Sequence, residues 1–193
     1  MHKRLLVAMF VAFAAIGCNE TNEKEAATAN TEARPAAPVE SKLDEKGTEQ
    51  LMNVVTNYYE LKDALVATDA AKTDVAANNL NVSVDSMNAY LKNDSANGAT
   101  FVSLLDTISM SSKKIIAEND NTTEKKRVHF EKVSDMMFAL LQKAALKNAG
   151  VYRQYCPMAF NDKGAYWLSN ETEIRNPYFG KKMLECGEVT DSL

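Results

Sequence analysis

Two cysteines and two methionines near the C-terminus are the residues whose types and spacing suit chemistry. Cys156 and Met158 flank Pro157, eleven and nine positions before Trp167, the chain's one Trp, and Met183 and Cys186 follow in a Met-Leu-Glu-Cys step. Thiolates and thioethers are soft donors that favour Cu(I) and Ag(I) over Mg, Ca or Mn. Pro157 biases Cys156 toward an extended backbone and stiffens the step. Met183 and Cys186, three apart, would share one face of a helix. His129 adds a candidate imidazole, although it stands four before Val133 on an apolar helix face, where a satisfied core histidine is the plainer reading.

The N-terminus bears on the redox state of these thiols. Lys3 and Arg4 precede an apolar run from Leu5 to Ile16, the layout of a secretory signal, and Ala15-Ile16-Gly17-Cys18 resembles the lipobox at which a bacterial signal peptidase cuts before a lipidated Cys. The expectation is a lipoprotein-type signal over 1–17, acylation at Cys18 and membrane attachment through that lipid, with more than one acyl chain for a stable anchor. Cys156 and Cys186 are then the two remaining cysteines, in an exported protein where disulfides persist. Residue chemistry alone leaves three states open: a Cys156–Cys186 bridge, a soft-metal site, and two free buried thiols.

Composition excludes other classes. Without Lys3 and Arg4 the 22 basic residues become 20 against 26 acidic ones, a net charge of −6, which argues against nucleic acid. No P-loop, dinucleotide fingerprint, zincin pair or G-x-S-x-G step occurs, and Cys156 with His129 lacks the surroundings of a nucleophile and base, so no enzyme is expected.

Apolar spacing supplies the elements that must position the tail. Residues 18–46, rich in Ala, Glu, Thr and Asn with almost no large apolar side chain, read as a disordered acylated tether. The domain is expected over 47–193. Leu51, Val54, Val55, Tyr58, Leu61 and Leu65 predict a first helix from Thr48 to about Thr68, and Asp69 suits the cap of a second helix reaching Leu91. A turn at 93–98 leads to a third helix marked by Phe101, Leu105, Ile108 and Ile115. Asn121 and Glu124 are spaced as a capping box for a fourth, carrying Phe130, Val133, Met137, Leu140 and Leu141 to about Lys147. The fold expected is all-α: an antiparallel four-helix bundle with an irregular, aromatic-rich segment over 151–193. Asn176-Pro177 as cap and first position, with Gly187 as stop, predicts that this segment ends in a short helix.

The tail resembles the C-terminal signature of an exported bacterial family, domain of unknown function 3347, common in Bacteroidetes. The resemblance rests on Tyr155-Cys156-Pro157-Met158-Ala159, Gly164-Ala165, Trp167-Leu168-Ser169, Ile174, Asn176-Pro177-Tyr178-Phe179-Gly180, Met183-Leu184 and Cys186-Gly187, and extends more weakly upstream to about Thr48. Similar domains occur alone as lipoproteins or attached to periplasmic adaptor subunits of heavy-metal efflux systems. The resemblance therefore implies a role in handling soft metals, with an efflux adaptor or another envelope protein as partner. The Cys-Pro-Met step also looks like the core of short heavy-metal-binding domains, in which a His usually follows the Met; here Ala159 follows. Glu20, Glu23 and Glu25 after Cys18 resemble surface-export signals of Bacteroidetes lipoproteins. Together these give an envelope lipoprotein, periplasmic or on the outer-membrane face, that binds Cu(I) or Ag(I) without catalysis. Cys156 and Cys186 would be the anionic ligands and Met158 and Met183 the neutral ones, with Tyr155 and Trp167 as shields. A structural module stapled by a Cys156–Cys186 disulfide stands as the alternative.

Overall fold

The structure, a computed structural model, describes residues 37–92 and 98–193. The signal, Cys18, the tether up to 36 and the turn at 93–97 lie outside the described residues. Among the described residues there are four long helices, α1 (Glu45–Ala67), α2 (Ala70–Leu91), α3 (Gly98–Ala117) and α4 (Glu124–Ala144), besides two short turns of helix in the tail, Ala159–Asp162 and Gly180–Lys182. The long helices form a bundle-like arrangement in which each packs on the next along the chain. None of the described helices is long and apolar enough to cross a membrane.

The apolar stripes lie where their spacing puts them. Leu51, Val54, Val55, Tyr58, Leu61 and Leu65 of α1 are fully buried, as are Leu80, Val84 and Met87 of α2 and Phe130, Val133, Met137, Leu140 and Leu141 of α4. Each such side chain contributes roughly 1.5–3 kcal/mol of transfer free energy. The chain joins the fold before Thr48. Glu40 bridges Lys147, Leu43 is buried, and the Asp44 carboxylate accepts the Gly47 N–H at 2.7 Å to start α1. Asp69 caps α2 as expected, accepting the Lys72 N–H at 2.9 Å.

The start of α4 differs from the expected capping box. Thr123 precedes the helix in a left-handed conformation and offers it no side-chain bond. Asp120 does the work instead, accepting from the Thr122 hydroxyl at 2.7 Å, the Thr122 N–H at 2.9 Å and the Lys125 N–H at 2.7 Å. Those bonds hold its carboxyl below the usual carboxylate range, the Thr122 hydroxyl contributing most.

The tail departs most from an all-α expectation. It contains an antiparallel sheet of three strands, β1 (Tyr152–Cys156), β2 (Ala165–Ser169) and β3 (Glu188–Ser192), in the order β2-β1-β3. The short helix expected near the end of the segment is present in reduced form, as a 3₁₀ turn, and the chain ends on β3 after it. Asn176 Oδ1 accepts from the N–H groups of Tyr178 at 2.8 Å and Phe179 at 3.2 Å, as a cap should, but Gly180 takes φ +55° and only a 3₁₀ turn, Gly180–Lys182, follows. Met183 and Cys186 therefore do not share a helical face.

Three side chains of the bundle hold this tail. The Tyr58 hydroxyl lies 2.8 Å from Ser134 Oγ and accepts the Leu168 N–H at 3.0 Å. Arg127, buried in α4, donates to Pro177 O at 2.8 Å, to Leu65 O at 3.1 Å and to the Thr68 hydroxyl at 3.1 Å, so one guanidinium ties the end of α1 to the tail. Phe130 stacks on Tyr58 at 5.4 Å and meets Tyr178 at 5.8 Å.

Candidate thiol site

Strand β1 brings Cys156 to its place. Its register opposite β2 pairs Tyr155 with Tyr166, Gln154 with Trp167 and Cys156 with Ala165. Directly opposed residues share a face and neighbours alternate, so Cys156, Gln154 and Trp167 lie on one side of the sheet and Tyr155 on the other. Cys156 and Trp167 are fully buried. Their face is covered by the chain between β2 and β3, which Gln154 holds by donating to Glu171 O at 2.8 Å and Glu173 O at 3.2 Å.

Cys186 reaches Cys156 from that covering segment. Both are free thiols, and Cys156 is the side chain that acts on the Cys186 thiol. Desolvation, followed by the hydrogen bond and charge of Cys156, pushes the Cys186 thiol up to about 11, against a smaller opposing effect of the Met158 N–H. At neutral pH Cys186 is therefore protonated, and two thiolates this close would repel one another.

Two residues fix the approach. Asn176, fully buried, donates from its side-chain amide to Cys186 O at 2.8 Å, and its own N–H donates to Leu184 O at 2.8 Å. Gly187 passes so near β1 that a Cβ there would lie 2.7 Å from Tyr155 O and 2.8 Å from Trp167 Cη2, and its φ is +147°. Asn176 was legible only as a cap; its hold on Cys186 is a long-range contact with no local signature. Gly187, read as a helix stop, is instead the residue that lets the thiol segment lie against the sheet.

The remaining candidates divide. Met183 lines the same open groove of about 420 Å³ as Leu184, Glu185 and Cys186. Met158 puts its backbone N–H on the Cys186 thiol, while its side chain is 47% exposed, which leaves the thioether largely in solvent. His129 stands apart, its Nε2 at 3.2 Å from Glu118 on the α3–α4 seam, and it is only partly buried, not the enclosed core histidine that its spacing suggests. Trp167 lies against Gly187, next to Cys186, whereas the Tyr155 ring lies against Tyr166 at 4.5 Å on the opposite face of the sheet. Of the middle-helix methionines, Met87 is fully buried and Met110 is 57% exposed.

After Cys156 the chain makes an unusual turn. Phe160, Asn161 and Asp162 all take positive φ, between +53° and +64°. Left-handed conformation costs an L-residue roughly 1–2 kcal/mol, least for Asn and Asp. Phe160, with the least tolerance, is held by an edge contact with Tyr178 at 5.2 Å. Among the described residues no three or more His, Cys, Asp and Glu side chains come together to hold a metal, so the ligand set of a harder ion is not assembled there.

A family model described as "protein of unknown function (DUF3347)" matches residues 54–149, from within α1 to just short of β1. The tail signature lies beyond the matched residues. No curated protein matches the chain, and no solved structure does. The chain belongs to the DUF3347 family of proteins of unknown function.

Proposed function

We propose that this protein is a lipid-anchored envelope protein that binds soft monovalent cations, Cu(I) or Ag(I), in its tail and has no catalytic turnover. The observation that carries the reading is the pairing of the buried Cys156 thiol with Cys186 at the edge of the groove shared with Met183. Two thiolates suffice for a soft d¹⁰ cation, and the thioether of Met183 would be the neutral third donor. Met158 would act through its N–H, and His129, engaged with Glu118, falls outside the set. The lipid at Cys18 would hold the domain at the membrane, within reach of an efflux adaptor or another envelope protein.

Competition with a chromogenic Cu(I) chelator tests this under reducing conditions. Cys156→Ser and Cys186→Ser are expected to abolish binding, and Met183→Leu to weaken it. Because a proton must leave a thiol for each of the two thiolates bound, the apparent affinity should rise by up to about a hundredfold per pH unit between pH 6 and 8. Unchanged Cu(I) affinity in both cysteine variants contradicts the proposal.

One observation favours a second reading. The complete burial of Cys156 beside Cys186 suits a disulfide that pins the tail, and a bridge closing a loop of this length would contribute about 3 to 4 kcal/mol.

A further inference from the structure

Among the described residues the bundle buries three cations, and they are treated differently. Lys126, 1% exposed, donates to Asp74 at 2.7 Å, to Ile115 O at 2.9 Å and to Glu118 O at 2.6 Å, which uses all three ammonium N–H groups. Arg127, 2% exposed, is satisfied by four carbonyl or hydroxyl acceptors and faces Glu124 at 3.4 Å. Lys62 of α1 is as buried, at 2%, yet its one oxygen partner among the described residues is the adjacent Asp63 at 2.9 Å, whose side chain is 59% exposed. The face of Tyr59, 5.8 Å from Nζ, adds a weaker attraction. Two ammonium donors are left over.

Lys62 lines a cavity of about 420 Å³ between α1 and the tail, within the roughly 300–1,000 Å³ that ligand sites occupy. Arg175 and Lys181 of the tail line it too, and neither has an ion-pair or hydrogen-bond partner among the described residues. The acidic groups on the wall are Asp63, already engaged with Lys62, and the exposed Glu171. A planar guanidinium fork with two point-charge ammoniums around one cavity is a donor set for a tetrahedral dianion.

We propose that this cavity is a binding site for a phosphate-bearing group, held by Lys62 from the bundle and by Arg175 and Lys181 from the tail. The bound group joins the two regions at a point separate from the thiols. Leu184 lines both this cavity and the Met183–Cys186 groove, so the two sites are neighbours. A soluble phosphate ester and a lipid headgroup present the same chemistry, and the test separates them.

Isothermal titration of the full, unlipidated chain (Cys18→Ser) with inorganic phosphate in low-chloride buffer is the direct test. Saturable binding is expected, weakened by about tenfold or more in the Arg175→Ala/Lys181→Ala variant. Both residues are exposed, so that variant should keep its thermal midpoint without phosphate and lose only the upward shift that phosphate gives the parent. Lys62→Met should also lose the shift. The absence of heat and of a midpoint shift up to millimolar phosphate, or equal binding by parent and double variant, overturns the proposal. Co-sedimentation with phosphatidylglycerol against phosphatidylcholine vesicles identifies the source. Retention that depends on Arg175 and Lys181 assigns a headgroup; phosphate binding without vesicle retention assigns a soluble ester.

Discussion

The helical bundle and the C-terminal tail are held together by different physics. The bundle coheres through apolar stripes in which many side chains share the load, and a slightly different residue at any one position would still be buried. The tail is held at a few points by specific atoms: Tyr58 on the Leu168 N–H, Arg127 on Pro177 O, and Asn176 on the Cys186 carbonyl. Such contacts are intolerant of substitution because each buried partner left behind loses its hydrogen bond without regaining water. The family match covers the bundle and stops at 149, whereas the paired thiols lie in the tail. The stretch that the family model matches and the stretch that holds the paired thiols are thus separate.

The largest effect should come from the residue that serves both regions. Arg127→Met is expected to cost roughly 3–5 kcal/mol, because it strips the Leu65 and Pro177 carbonyls and the Thr68 hydroxyl of a buried donor at once. Trp167, the chain's one Trp, makes fluorescence a reporter of the tail, while far-UV circular dichroism follows the helices. Urea unfolding read by both signals should lose its midpoint together in this variant. A variant in which only the fluorescence transition moves would mean that the two regions are uncoupled at α1.

Tyr58→Phe removes one hydroxyl and keeps the ring that stacks on Phe130. It leaves the Leu168 N–H and the Ser134 hydroxyl without their partner, and a loss of about 1–3 kcal/mol is expected in the same urea titration. An unchanged midpoint would show that the strand is held by its burial alone.

The smallest effect is a pH dependence specific to the tail. Cys186 ordinarily loses its proton near 9.0, and in the fold near 11. Below the first value both folded and unfolded chains keep the proton and the group contributes nothing to pH dependence. Between them the unfolded chain releases a proton that the folded chain retains, so stability falls as pH rises, and the decline ends above the folded value. Reduced protein should therefore lose stability over this window more steeply than Cys186→Ser, by thermal midpoint; parallel profiles would contradict the partial desolvation of this thiol.

The difference between the regions also explains what the sequence discloses. Helix period is local, so Leu51 through Leu65 announce α1 without reference to the rest of the chain. The strands are five residues long and β2 is buried on both sides, with Trp167, Leu168 and Ser169 consecutively inside, so the alternation that marks a half-exposed strand is absent. Asn176 was visible as a cap, but the helix it would start is ended by the left-handed Gly180 under the contact with Thr68 and Arg127, which only the fold supplies. The cysteines stood out by type. Their meeting depends on Gly187, whose tight passage over Trp167 has no signature in the chain.

Native mass spectrometry on the protein recovered from copper-fed cells, without added reductant, decides whether Cys156 and Cys186 bind a metal as a pair. The expected result is one stoichiometric copper adduct with both thiols reduced, lost in Cys186→Ser. A mass lower by two hydrogens with no adduct would contradict it and make the pair a structural bridge.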